Sequence, residues 1–345
     1  MAIKKFPGFI DVHVHLRDPG ATHKEDFQTG SRAAVKGGFT FVIDMPNNPT
    51  PTISPEALQE KIRLAEQKSI VDIGFHYGTD GQNTETFKTV IDNEKVFGLK
   101  IYCNYTTGTL LVEDQLLWNN IFREWESKKP ILVHAEKEKL PYMIALSKKY
   151  NRHLHVCHIS LTEEVSMVRR AKEIGIYISA GVTPHHLFLT EKDVNRLGSL
   201  AMMKPPLGTQ ADQEALWKGL RDGTIDLIET DHAPHTKEEK EKTPAPFGVP
   251  GLETAVGLMF KAVHEGKISE REVIKFFHDN PARIFNVPTH ENTFIMLDPD
   301  QSYIMGEDGY ETKCHWSPFD GWKLYGQIQM VVIKGKTILE KRKLI

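Results

Sequence analysis

The sequence has few cysteines, almost no net charge and no long hydrophobic run, and each shortage excludes a class of protein. Its 345 residues include three cysteines, Cys103, Cys157 and Cys314, which are too few and too far apart for a disulfide framework. The formal net charge of −3 gives no indication of nucleic-acid binding. No apolar run approaches the roughly 18 residues that cross a bilayer, and no apolar signal region follows the first methionine. We therefore expect a cytoplasmic protein that binds neither a membrane nor a nucleic acid.

The rest of the composition is typical of a globular protein, with 40% hydrophobic and 26% charged residues. Short apolar runs alternate with longer amphipathic ones. Eight runs have strand character: residues 8–15, 39–44, 71–77, 96–102, 131–134, 153–159, 176–181 and 225–230. Helix-like stretches or long crossovers separate them, so the sheet should be parallel. Eight such units in roughly 250 residues predict an α/β fold, a closed (β/α)8 TIM barrel.

The pattern changes after the eighth strand. Proline, glycine and charged residues dominate 234–251, which makes this segment a candidate active-site loop. Asn280 and Pro281 have the residue types of an N-cap and a first helical position. From about residue 293 the chain has short strand-like runs. We expect a barrel of residues 8–290 and a small, mostly C-terminal β appendage made of residues 1–7 and 291–345.

Two histidines stand near the end of the first predicted strand. His13 and His15 are two residues apart, so their side chains share one face of the strand and can approach one ion. The alternative is a pair of ordinary strand histidines. The position favours a site, because barrel strands present their C-terminal ends to the active site.

Lys100 is the only charged residue in the apolar strand 96–102. Its side chain could extend along the strand and reach solvent with its amine. Alternatively, the amine has reacted with carbon dioxide to give a carbamate, an anion that can bridge two cations. The second possibility removes the cost of burying an unpaired ammonium group.

Three further metal-competent residues occupy strand ends. His134 closes the fifth strand, His158 closes the sixth, and Asp231 follows the eighth. Each by itself is also compatible with a core histidine or a turn aspartate. Together with the first two histidines and Lys100 they form a histidine–carboxylate set, which suits zinc. Such a set can hold two ions about 3.5–4 Å apart.

Several segments resemble those of dihydroorotases of the amidohydrolase superfamily. They are residues 8–20, 44–48, 98–102, 134–136, 183–187 and 230–235. Residues 23–27, 250–254 and 315–319 are most similar to the dihydroorotase domain of animal multifunctional pyrimidine enzymes. The similarity extends from about Gly8 to Gly335.

The resemblance implies an activity and a set of roles. The activity is the reversible cyclisation of N-carbamoyl-L-aspartate to L-dihydroorotate by a zinc-bridging hydroxide, with two zinc ions per subunit and Asp231 as the catalytic residue. The first zinc would be held by His13, His15, carboxylated Lys100 and Asp231, and the second by Lys100, His134 and His158. Substrate contacts would come from Arg17, Asn47 and His235 for the carboxylate and from Asn104, Pro250 and Gly251 for the ring. A homodimer and an association with aspartate transcarbamoylase are also implied.

Two other functions remain open. A hydantoinase or allantoinase would have the same metal ligands but would not need an arginine for a substrate carboxylate, the role for which Arg17 is suited. A catalytically silent, dihydroorotase-like scaffold for the transcarbamoylase would be expected to have lost ligands. This sequence retains each ligand that the resemblance implies. Without the resemblance, Arg17 would fit a surface loop, and Asn47 and Asn104 would fit turns.

Overall fold

The computed structural model describes residues 3–345 and contains the predicted barrel. Eight parallel strands follow one another in chain order around a single sheet. They are Phe9–Val14, Phe39–Asp44, Asp72–Gly78, Val96–Tyr102, Ile131–His134, Leu154–Val156, Ile178–Val182 and Leu227–Ile228. A parallel bridge between Val14 and His232 joins the first strand to the segment after the eighth, and the His15 N–H donates to the His232 carbonyl at 2.8 Å. The (β/α)8 prediction is confirmed.

Helices cover the outside of the barrel. The α-helices of ten or more residues are Phe27–Gly37, Pro55–Lys68, Gln115–Glu124, Leu140–Tyr150, Thr162–Glu173, Gln210–Asp222 and Ala255–His264. Shorter α-helices are Phe87–Val90, Pro184–Phe188, Val194–Leu197, Lys237–Lys240, Glu270–Ile274 and Asn280–Phe285. Among residues 3–345, no helix has both the length and the apolar character needed to span a membrane.

The first helix shows how local sequence fixes an element that supports the site. Asp26 caps it by accepting the N–H of Thr29 at 2.8 Å. Gly38 ends it with φ of 86°, a left-handed conformation that costs glycine little. The buried side of the helix includes Phe27, Ala34 and Val35, which are fully buried in the core around the barrel.

The prediction that Asn280 caps a new helix is wrong. Asn280 has φ of −72° and ψ of −46°, and it continues a helix that begins at Glu270. A π-helical turn, Lys275–Asp279, precedes it. Pro281 has no N–H to donate to the preceding turn, so a local widening of the helix is a physical alternative to ending it.

The N-terminal strand belongs to a second sheet built mainly from C-terminal strands. The antiparallel order is Lys4–Pro7, Phe294–Leu297, Ile328–Ile333, Lys336–Glu340 and Lys343–Leu344. A separate two-stranded antiparallel sheet pairs Ser302–Ile304 with Lys323–Tyr325. Ile295 and Val331 pack in the same core cluster as the barrel residues. A boundary at residue 290 therefore stays a prediction.

Candidate metal centre and substrate cavity

The six predicted metal ligands meet at one rim of the barrel. All are buried, with at most 8% of each residue exposed. The ring centroid of His13 lies 5.3 Å from that of His15 and 5.1 Å from that of His158. The rings of His134 and His158 are 4.7 Å apart. Residues separated by more than 200 positions in the sequence thus form one cluster.

Three of these side chains direct ligand atoms at a common point. Asp231 Oδ1 lies 3.3 Å from His13 Nε2 and 3.0 Å from His15 Nε2. Two nitrogen or oxygen ligands of a tetrahedral zinc ion, each about 2.0–2.1 Å from the metal, are about 3.3 Å apart. The three side chains therefore have the spacing of a zinc-binding group.

Asn47 fixes the orientation of His15. Its amide oxygen lies 2.7 Å from His15 Nδ1, so the ring donates from Nδ1 and keeps the Nε2 lone pair directed at Asp231. The amide nitrogen of Asn47 donates to the Thr107 carbonyl at 2.8 Å. Partners of this kind hold metal-binding histidines in the competent tautomer.

His134 and His158 form the second group of ligands. Glu136 Oε1 accepts from His134 Nε2 at 3.0 Å, which leaves His134 Nδ1 unprotonated and 3.2 Å from His158 Nε2. Burial lowers the pKa of both rings, so both are neutral. His158 Nδ1 is buried without a hydrogen-bond partner among the described residues. The facing nitrogens, His134 Nδ1 and His158 Nε2, together with the unpaired His158 Nδ1, are compatible with a cation bound between the two rings.

Lys100 differs from the other two buried lysines of the described chain. Lys61 has the carboxylate of Asp44 at 2.7 Å, as well as two oxygen acceptors. Lys240 donates to three backbone carbonyls at 2.9–3.0 Å. Lys100 is fully buried, and its hydrogen-bond partner among the described residues is the Cys157 sulfur at 3.1 Å. Burial raises the pKa of this thiol to about 12, so no thiolate balances the ammonium charge.

Three site residues are among the non-glycine residues with a left-handed backbone conformation. Arg17, His158 and Asp231 have φ of 64°, 35° and 47°. Non-glycine residues rarely adopt left-handed conformations, and such residues cluster at functional sites. No sequence pattern indicated these conformations, because arginine, histidine and aspartate occur freely in ordinary backbone.

A cavity of about 230 Å³ opens beside this centre. His15, Arg17, Lys24, Asn47 and Thr107 are among the residues that line it. The Arg17 guanidinium donates to the Pro234 carbonyl at 3.2 Å and has no carboxylate within ion-pair distance in the described chain. It is buried, so an anion that enters the cavity would supply its missing counter-charge.

His235 lies against the guanidinium, with 3.2 Å between His235 Nε2 and Arg17 Nη2. Burial lowers the pKa of His235, and the positive charges of Arg17 and Lys24 lower it further, so the ring is neutral. Its Nε2 is also 2.9 Å from the Phe247 carbonyl, while Lys24 Nζ lies 3.2 Å from Nδ1. Glu239 Oε2 lies 3.4 Å from Nδ1, so each ring nitrogen faces both a donor and an acceptor. The neighbouring Trp316 donates to the His235 carbonyl at 2.7 Å.

The remaining predicted substrate contacts are engaged with the protein. Asn104 accepts the Glu136 N–H at 2.9 Å, and the Gly251 N–H donates to His232 Nδ1 at 3.1 Å. Pro250 is buried next to Gly251. These residues support the segments that carry the ligands, and a contact with substrate stays a prediction for them.

Sequence reasoning missed two buried carboxylates. Asp44 accepts the Leu16 N–H at 2.7 Å and pairs with Lys61, which holds the segment carrying Arg17. Glu229 lies fully buried next to His13, His155 and His158. Burial alone would raise the pKa of Glu229, but His13 and His155 outweigh it and lower the pKa. For Asp44 the available signal was a lone acid in the apolar strand 39–44, the same kind of signal that singled out Lys100; Glu229 shares its predicted strand with Asp226 and gave no such signal.

Comparison with known proteins identifies the family of the chain. The model of the amidohydrolase family matches residues 5–338. The chain is 40% identical over 346 residues to the multifunctional protein pyr1-3 of Dictyostelium discoideum, covering 99% of this chain but only 15% of that protein. It is 35% identical over 377 residues to a dihydroorotase of Staphylococcus epidermidis, covering 98% of this chain and 88% of that protein.

Among solved structures, an L-hydantoinase (dihydropyrimidinase) from Arthrobacter aurescens has the same fold. The TM-score is 0.94 at 24% identity, with 99% of this chain and 86% of that chain covered. At this identity the likeness concerns the fold alone. The family model matches nearly the whole chain, and the chain is 35% identical to a protein of comparable size. This chain belongs to the amidohydrolase family.

Proposed function

We propose that the chain is a zinc-dependent dihydroorotase, which interconverts N-carbamoyl-L-aspartate and L-dihydroorotate. The observation that carries the proposal is the buried Arg17 guanidinium, which lines the same cavity as the proposed metal ligand His15 and lacks a carboxylate partner in the described chain. A guanidinium binds a carboxylate with two parallel hydrogen bonds. Both partners of the reaction carry a carboxylate that would fill this role.

The donor set assigns the residues that would hold the metal. His13, His15 and Asp231 would bind one ion, His134 and His158 a second, and carboxylated Lys100 would bridge the two. Carboxylation replaces a buried ammonium, whose one described partner is a thiol, with an anion between cations. When bound, the ions lower the pKa of water and polarise the amide carbonyl.

The protein's own residues supply positioning and proton transfer. Arg17 holds the substrate carboxylate, with Asn47 and His235 beside it. Asp231 accepts a proton from the attacking water and passes it to the departing ring nitrogen, and the cyclisation runs the same transfers backwards. Thr107 is tied to Asn47 and to the Phe247 carbonyl and lines the cavity, so the loop at 105–110 forms part of the cavity wall and would limit the entry of bulk water to a bound substrate.

The two rival functions lack this support. A hydantoin or allantoin ring carries no carboxylate for Arg17, and its binding would leave the buried guanidinium unpaired. A silent scaffold would not need Asn47 and Glu136 to orient His15 and His134 as they do. We therefore favour an active enzyme with an acidic substrate.

The deciding experiment measures metal content and substrate choice on the full chain. We expect two zinc ions per chain by elemental analysis. We also expect cyclisation of N-carbamoyl-L-aspartate to be faster than hydrolysis of hydantoin or allantoin at equal concentration. Preference for either neutral ring would favour the first rival, and full metal content without turnover of any of the three compounds would favour the scaffold.

Arg17→Met should chiefly weaken substrate binding. Loss of hydrogen bonds to a charged group costs about 1.5–3 kcal/mol, so KM for N-carbamoyl-L-aspartate should rise about 10- to 100-fold. Steady-state kinetics checks this. Arg32→Met is the matched control, because Arg32 is half exposed and pairs with Glu311. An unchanged KM in the Arg17 variant would remove the carboxylate assignment.

Three further properties rest on the resemblance to dihydroorotases. We propose a cytoplasmic homodimer that also associates with an aspartate transcarbamoylase. Sedimentation of the chain alone, and then mixed with the transcarbamoylase of the same organism, tests both associations.

A further inference from the structure

Glu229 is a buried carboxylate that has no role in the chemistry described so far. It follows the eighth barrel strand, and none of its surface is exposed. Oε2 lies 3.3 Å from His13 Nδ1 and 3.5 Å from His155 Nε2. Oε1 accepts the backbone N–H of His158. One side chain therefore contacts two of the residues proposed to bind different metal ions.

The seventh strand leaves a space for this carboxylate. Gly181 is the strand partner of Leu227. A Cβ atom at Gly181 would lie 2.4 Å from Glu229 Oε1 and 2.6 Å from its Cδ, far inside van der Waals contact. Because any larger residue at 181 would displace the carboxylate, the glycine and the glutamate form one structural unit.

The contacts define what the carboxylate does to His13. A carboxylate oxygen accepts, so His13 donates its Nδ1 proton to Oε2 and retains the lone pair on Nε2. That nitrogen is 3.3 Å from Asp231 Oδ1, in the first group of ligands. A carboxylate behind a metal-binding histidine fixes the tautomer and ring orientation and makes the ring a better ligand.

The other oxygen acts on the backbone of His158. His158 has φ of 35°, which is unfavourable for a residue with a Cβ atom. A hydrogen bond from its N–H to a buried carboxylate offsets part of that cost. The turn directs the ring of His158 toward His134, with 3.2 Å between Nε2 and Nδ1.

We propose that Glu229 is a positioning residue for the metal centre, which orients His13 through its ring and His158 through its backbone, in a space that Gly181 keeps open. The inference rests on the proposed metal centre but not on the identity of the substrate. A different role is available, since Glu229 also has ligand atoms of His155 and Cys157 within 4.8 Å and could bind a separate cation with them. The positioning role is favoured because Oε1 is already occupied by the His158 N–H and Oε2 faces the Nδ1 of His13.

The test compares zinc affinity in the full chain, by chelator competition, for the wild type, Glu229→Gln and Glu253→Gln. Glu253 is the matched control, since it accepts the backbone N–H groups of Glu311 and Thr312 and contacts none of the ligands. The Glu229 variant should bind the same number of zinc ions at saturation with a dissociation constant about 10- to 100-fold weaker. The control should stay within about twofold of the wild type.

A second variant, at Gly181, tests whether the glycine leaves the space that Glu229 occupies. It also tests the proposal independently if the Glu229 variant misfolds. Gly181→Ala keeps the Glu229 carboxylate in the sequence but displaces it from its position, so this variant should also weaken zinc binding. In a Glu229→Ala background the same change should have little further effect, because the clashing group is gone, and the two effects should not add. Additive effects would contradict the inference that Gly181 and Glu229 act as one structural unit.

Three results would overturn the inference or separate it from the proposed function. Unchanged zinc affinity in Glu229→Gln would overturn the positioning role. Loss of one whole metal equivalent, with the remaining ions bound as tightly as before, would make Glu229 a ligand of a separate ion and likewise overturn it. A wild-type chain that binds zinc but does not act on N-carbamoyl-L-aspartate would contradict the proposed substrate and leave the positioning role of Glu229 intact.

Discussion

Asp231→Asn is expected to leave the metal content unchanged and to reduce kcat by about 10³-fold or more. The substitution keeps the shape of the side chain and an oxygen that can still face His13 and His15. In the wild-type chain Asp231 Oδ1 lies 3.3 Å from His13 Nε2 and 3.0 Å from His15 Nε2. It removes the ability to accept and return a proton. General acid–base catalysis contributes about 10²- to 10⁴-fold, and the step in question involves one transfer in each direction.

The carboxylate is prepared for this task by its surroundings. Burial alone would raise the pKa of Asp231, but His13 and His15 outweigh it and lower the pKa, so the side chain is ionised and ready to accept. The left-handed backbone at φ of 47° holds it at the rim. Because strain of this kind persists only where the surroundings fix it, the asparagine should adopt the same position.

Steady-state turnover and elemental analysis on the same preparation check the prediction. Asp222→Asn is the control, since Asp222 lies on the surface and pairs with Arg169. Turnover within tenfold of the wild type would exclude Asp231 as the proton carrier. A variant that has lost zinc would assign its main effect to binding.

The sequence was sufficient to predict the barrel and to predict that the metal-competent side chains lie close together. In a parallel barrel every strand ends at the same rim, so metal-competent residues at successive strand ends must meet there. His134 ends its strand at the predicted position, and Lys100 lies in a strand with the predicted bounds Val96–Tyr102. Strand order and period alone therefore placed these residues together.

The partners of the ligands were beyond reach of the sequence. Asn47 contacts His15 across 32 positions, and Glu229 contacts His13 across 216. Neither pair has a spacing that periodicity can detect, because the contacts depend on the closure of the barrel. Asn280 shows the opposite failure: asparagine before proline is typical of a helix start, but here the helix continues through a π-helical turn and Asn280 caps nothing.

Lys100→Ala should lose at least one of the two zinc ions and, with it, nearly all activity. The side chain is fully buried, and its hydrogen-bond partner in the described chain is a neutral thiol, so an unmodified amine has no carboxylate within ion-pair distance. If the amine is carboxylated, truncation removes an anion shared by both ions and leaves two groups of mostly neutral ligands. A small carboxylic acid supplied in solution can enter the space that the truncation creates, so acetate or propionate should restore part of the metal and of the turnover.

Lys100→Met separates the loss of the carbamate from the loss of packing. Methionine fills most of the lysine volume but cannot bind a metal ion as a carboxylate does, so this variant should lose zinc as the alanine variant does. It should not respond to acetate, because the side chain occupies the space that the acid would need. Rescue of both variants to the same extent would place the acid elsewhere. Two zinc ions retained in Lys100→Ala, by elemental analysis without added acid, would show that no bridging ligand comes from residue 100 and that the buried amine stands beside Cys157 for another reason.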